Sequence, residues 1–121
     1  LYTHISAGPN GWWEKAHFHQ GVREVCIVQT GRIALASFCP STGGLKMALY
    51  VPGETVSSEP GIAHNLFFFP GTIVHVVHFF KREVGQASDQ LDWHASPELE
   101  KETKSISGKA VLACINKWQK G

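Results

Sequence analysis

From position 17 the chain reads His17-Phe18-His19-Gln20-Gly21-Val22-Arg23-Glu24-Val25-Cys26-Ile27-Val28-Gln29-Thr30-Gly31. Side chains alternate along a strand, so His17 and His19 project to one face and Phe18 to the other. A four-residue connection of turn-like character follows, and Glu24 then opens a second strand, where its carboxylate can turn back toward the two imidazoles. The break at Thr30-Gly31 reads as a hairpin or sharp bend into a third strand. The stretch therefore predicts antiparallel strands that hold a cluster of polar side chains on one face.

Short apolar runs continue on both sides of it. Candidate strands are Tyr2 to Ser6, Trp12 to His19, Glu24 to Thr30, Arg32 to Phe38, Leu45 to Val51, Thr55 to Glu59, His64 to Phe69 and Thr72 to Phe80. Between them stand Gly8-Pro9-Asn10-Gly11, Gly43-Gly44, Pro52-Gly53, Pro60-Gly61 and Pro70-Gly71, which combine a fixed φ with tolerance of positive φ. This pattern predicts an all-β sandwich or barrel over residues 1–81. Near Lys81 the texture changes and helical signals appear. Ser96-Pro97-Glu98 reads as a helix start, with Ser as N-cap and Pro at the first helical position, running to about Ser105. Ala110, Val111, Cys114, Ile115 and Trp118 form a second helical stripe, facing the outside of the barrel or a partner subunit.

The 121 residues are one domain's worth, and 43% apolar against 17% charged residues supports a buried core. Eleven Lys and Arg against ten Asp and Glu leave a net charge of +1, which argues against nucleic acid as a partner. The strongly apolar stretch from Thr72 to Phe80 is too short for a membrane-spanning helix, which needs about 20 residues. Cys26, Cys39 and Cys114 are widely spaced with no Cys-x-x-Cys pair, so reduced thiols and a cytoplasmic setting are expected.

A further imidazole, His64, follows Pro60-Gly61 at the start of a later strand. Three imidazoles and one carboxylate suit a divalent transition metal such as Fe, Mn, Ni, Cu or Zn, with open coordination positions if the ion is octahedral. His75 and His78 are three apart on one strand, so at most one can look into the pocket. That one is the candidate catalytic proton carrier. Arg23 can meet an anionic substrate at the mouth, although a solvated Arg is the commoner outcome. Cys26 shares the inward face of Glu24 and reads as a core residue. His4 and His94 have no evident partner.

The segment His-x-His-x4-Glu-x6-Gly from His17 to Gly31 resembles the first signature motif of the cupin superfamily. Gly53 and Pro60-Gly61-Ile62-Ala63-His64 are similar to the second, with two departures: the Pro directly precedes the Gly, and Phe68 stands where an Asn is usual. The resemblance covers Trp12 to Phe80. It implies an antiparallel cupin barrel, or jelly roll, with one or two short C-terminal helices over residues 96–120. By the same resemblance, His17, His19, Glu24 and His64 are the ligands of one metal ion per chain.

Three functions are compatible with that fold. One is a mononuclear metalloenzyme, of oxygenase or isomerase type, acting on a small oxygen-rich molecule. Another is a metal-independent sugar-nucleotide ketoisomerase or epimerase, whose acidic and aromatic tail resembles the stretch Asp89 to Trp93; an excess of Lys and Arg in the pocket would favour it, and few are evident in the barrel region, while the ligand-like Glu24 argues mildly against it. The third is a non-catalytic module that binds a small ligand. The apolar surplus at Phe67 to Phe69 and the stripe from Ala110 to Trp118 predict a homodimer.

Overall fold

The computed structural model describes the backbone of residues 2–6, 8–80 and 92–120, and the side chains of residues 4–5, 8–79 and 92–115. Positions 89–91 and the Trp118 side chain lie outside these. Ten strands and two helices follow in order: β1 Tyr2–Ser6, β2 Trp12–Trp13, β3 His17–Phe18, β4 Val22–Thr30, β5 Ile33–Phe38, β6 Leu45–Tyr50, β7 Thr55–Ser58, β8 Asn65–Phe68, β9 Ile73–Phe80, β10 His94–Ala95, α1 Pro97–Thr103 and α2 Gly108–Lys120.

Two four-stranded antiparallel sheets, ordered β1-β9-β4-β7 and β2-β8-β5-β6, pack face to face, and β10 pairs with β3 at one end. Alternation along each strand sends one set of side chains inward. Cys26, Val28, Val56, Val74 and Val76 from the first sheet meet Ile33, Leu66 and Phe68 from the second in a single buried cluster. The other face of the second sheet is not exposed to water. Ala34, Ala36, Met47, Phe67 and Phe69 lie beneath Val111 and Ile115 of α2. Burying aliphatic side chains of that size contributes about 1.5–3 kcal/mol each. The helical stripe thus packs on the outside of its own barrel, with Val111 and Ile115 buried and Ala110 exposed. The aromatic run that suggested a dimer is covered within the chain.

Two differences from the sequence reading bear on the site. The expected strand Trp12 to His19 is broken in two. Trp12 and Trp13 pair with Phe68 and Phe67, and the Glu14 amide continues that ladder to the Leu66 carbonyl. His17 then pairs with His64, so the chain takes three steps where its partner takes two. This is a bulge, and it keeps Glu14 and His17 both on the inner face. α1 ends at Thr103, where the Thr103 hydroxyl donates to the Leu99 carbonyl and accepts from the Asn65 amide. Its N-cap residue Ser96 makes no side-chain capping bond, and Pro97 opens the helix as expected.

Gly31 has a φ of +75°, and a Cβ there would lie 2.6 Å from the Thr72 Cα. Only glycine fits between β4 and β5, because Thr72 seals this end of the barrel through bonds to both backbone groups of Arg32.

Candidate metal centre

Four side chains from three stretches of chain converge between the sheets. β3 supplies His17 and leads directly into His19. β4 supplies Glu24, and the residue before β8 is His64. All four are buried, and one ligand atom from each lies within 4.8 Å of all the others. β3 and the start of β8 are locked together by reciprocal bonds, His17 N to His64 O at 3.1 Å and His64 N to His17 O at 2.9 Å.

The three imidazoles are oriented alike. Nδ1 of His17 donates to the Lys15 carbonyl at 2.6 Å, Nδ1 of His19 to the Asp92 carbonyl at 2.7 Å, and Nδ1 of His64 to the Ile62 carbonyl at 3.2 Å. A carbonyl only accepts, so the proton sits on Nδ1 and each Nε2 presents a lone pair to the centre. The Nε2 atoms of His19 and His64 are buried with no hydrogen-bond partner among the described residues. Buried polar atoms without partners are rare, and a cation between them satisfies both. The donor set fits a borderline divalent metal.

The electrostatics agree. Burial, with help from His64, pushes the His17 imidazole down to about 4. Burial also lowers His64. His19 is raised by its interaction with Glu24, 3.6 Å away. Burial alone pushes the Glu24 carboxyl up, but the nearby His19 imidazole and the bond from His78 outweigh it and hold the group far below the usual carboxylate range. At neutral pH His17 and His64 are therefore neutral imidazoles beside a carboxylate, the forms that bind metal, and His19 is the imidazole at which a proton competes.

β9 separates its two histidines. His78 is opposite Glu24 in the ladder, and its Nε2 lies 2.7 Å from Glu24 Oε2. His75 faces outward, where its ring lies 5.3 Å from that of His4 and its Nε2 meets the Gln29 amide. His75 therefore does not join the cluster. Arg23 is also outward, with Nε 3.1 Å from Ser57 Oγ and 3.4 Å from Glu59 Oε1, so it does not reach the inner face. Cys26 is inside; burial and the nearby Glu24 push its thiol up to about 12, which makes it an inert core residue. His94 stacks on Phe18, with ring centroids 5.0 Å apart.

Two groups were not singled out in the sequence. Asp92 accepts from the amides of Gln20 and Gly21 at 2.8 and 2.7 Å, while its own carbonyl orients His19. Glu14 has a buried Oε1 with no partner among the described residues, and burial together with Glu24 raises its carboxyl well above the usual range. Only the bulge turns Glu14 inward, and only the fold brings Asp92 to His19.

No family model and no curated protein matches the sequence. Solved structures do resemble it. QdtA, a sugar 3,4-ketoisomerase from Thermoanaerobacterium thermosaccharolyticum solved in complex with TDP, matches 99% of this chain and 73% of its own, with a TM-score of 0.62 at 14% identity. The chain has the cupin fold. The TDP-quinovose 3,4-ketoisomerase WlaRB from Campylobacter jejuni matches 79% of the chain and 69% of its own, with a TM-score of 0.60 at 10% identity. A variant oxalate decarboxylase from B. subtilis matches 78% of this chain but 23% of its own, with a TM-score of 0.61 at 14% identity. The cupin barrel explains why residues 17–24 and 61–64 meet: each motif is a strand and turn at the same end of the two facing sheets.

Proposed function

We propose that the chain is a mononuclear metal-binding cupin, an enzyme acting on a small oxygen-rich molecule, in which His17, His19, Glu24 and His64 hold one divalent ion among Fe, Mn, Ni, Cu and Zn. The observation that carries this reading is the set of imidazoles tied back through Nδ1, with buried Nε2 lone pairs aimed at one point beside a carboxylate. When bound, such an ion supplies Lewis-acid polarisation of substrate oxygens. The chain's own residues do the rest. His78 orients the Glu24 carboxylate and holds a proton at Nε2, within reach of Oε2, for transfer to or from a bound molecule. Trp93 stacks on His17 with ring centroids 5.4 Å apart and shields that imidazole from water. The three free cysteines fit a reducing, cytoplasmic setting.

The sugar ketoisomerases among the similar structures support a second reading, in which His78 and Glu24 act as acid and base without metal. The cavity beside the cluster measures about 260 Å³, and Lys46 is the sole Lys or Arg among the described residues that line it. This is below the range of roughly 300–1,000 Å³ usual for drug-sized ligands, and one cation is few for a diphosphate. We therefore favour the metal reading.

Elemental analysis of the purified chain beside His64→Ala and Glu24→Gln variants tests it. Near-stoichiometric metal in the parent, lost in variants that keep their circular dichroism, is the expected result. A parent that carries no metal and takes none up on reconstitution overturns the ligand assignment.

A further inference from the structure

The cavity beside the cluster opens between β6 and β7, the edge strands of the two sheets. Its inner wall follows from the register. Lys46 is opposite Ser37. Leu35 and Ala36 are opposite Leu66 and Asn65, so the next step sets Ser37 opposite His64. Lys46, Ser37 and His64 therefore form one cross-strand row, and all three line the cavity. On the facing sheet Ser58, Glu24 and His78 form the corresponding row. Lys46 and His64 are two strands apart, about 10 Å between Cα atoms at the usual strand spacing.

Two groups in that row lack partners. Ser37 is 8% exposed, and its hydroxyl has no hydrogen-bond partner among the described residues. Lys46 is half-buried and makes no ion pair among them. The acid on the same cavity wall, Glu59, is already engaged by Arg23 and by the Ser57 hydroxyl. A hydroxyl open to the cavity beside an uncompensated ammonium is a site for an anion. One cation with hydroxyl donors suits a carboxylate, whereas phosphate sites recruit several cations or a fan of backbone amides.

We propose that this cavity binds the second carboxylate of a small hydroxy or oxo dicarboxylic acid through Lys46 and Ser37, directing the molecule's remaining oxygens toward His17, His19, Glu24 and His64. The proposal deepens the metal-enzyme reading and depends on it only at the far end of the ligand. Calorimetric titration of malate, and of 2-hydroxybutyrate, which lacks the second carboxylate, into the protein with and without added Mn(II) tests it. Malate is expected to bind roughly 10- to 100-fold more tightly than 2-hydroxybutyrate, the range of one charge-assisted contact. Lys46→Met should abolish that gap without changing 2-hydroxybutyrate affinity, and Lys46→Arg should preserve it. Equal affinities in the parent, a gap that survives Lys46→Met, or no binding of malate overturns the proposal. Inorganic phosphate that binds through Lys46 more tightly than malate overturns the carboxylate assignment. If Mn(II) tightens neither acid, the metal reading fails, while a Lys46-dependent gap still stands.

Discussion

The ring of His19 is oriented by a residue seventy-three positions later in the chain. Asp92 does this with its backbone carbonyl while its carboxylate grips the Gln20 and Gly21 amides, so the side chain fixes the carbonyl's position. Asp92→Ala should therefore weaken metal binding by about 10- to 100-fold, the usual effect of losing a partner that orients a ligand, with secondary structure unchanged. A competition assay with a chromophoric chelator measures it, and unchanged affinity would refute the role. Protons should compete with the metal chiefly at His19. His17 and His64 are depressed and already neutral near pH 7, whereas His19 is raised by Glu24. Metal affinity should then climb as pH rises past the ordinary imidazole value of about 6.5, and a flat profile between about pH 6 and 8 would contradict it. The pairing of His17 with His19 was readable from alternation alone. Asp92 was not, because no local rule links residues so far apart in sequence.

At the scale of elements, the turns were the most legible feature, since glycine at positive φ is a local requirement. Gly31→Ala should destabilise by more than the ~1–3 kcal/mol of left-handed strain, because the new methyl also meets the Thr72 backbone. Urea unfolding would show this as a lower midpoint. Ile115→Ala, which opens a cavity between α2 and Phe67 and Phe69, should cost about 2–4 kcal/mol and lower Tm by roughly 10 °C. The break between β2 and β3 was hidden because apolar and polar residues run evenly through Trp12 to His19, and a bulge is specified by what lies on the neighbouring strand. β10 is two residues long, too short for any periodicity to register.

For the whole molecule, the candidate centre gathers side chains from both sheets and from the end strand between them. His64 lies beside β8 of one sheet, Glu24 is in β4 of the other, and β3 closes the end between them. An ion held there bridges the two sheets and binds only the folded state. At a free concentration 100-fold above its Kd it should add about 2.7 kcal/mol, so stripping the metal with a chelator should lower Tm by roughly 10 °C. A Tm indifferent to chelation would count against a metal that ties the sheets together. The alternation of apolar residues and the turn chemistry are local properties, and they were enough to read an antiparallel sandwich or barrel with His17 and His19 on one face and Glu24 able to turn toward them; that His64 joins them was implied by the resemblance to the cupin motifs. The tertiary structure alone decided which of His75 and His78 faces inward, that α2 covers the aromatic run, that Glu14 and Asp92 belong beside the cluster, and that Lys46 and Ser37 share a row with His64. Each of those depends on strand register or on contacts between distant segments, which are set only when the two sheets close over a common core.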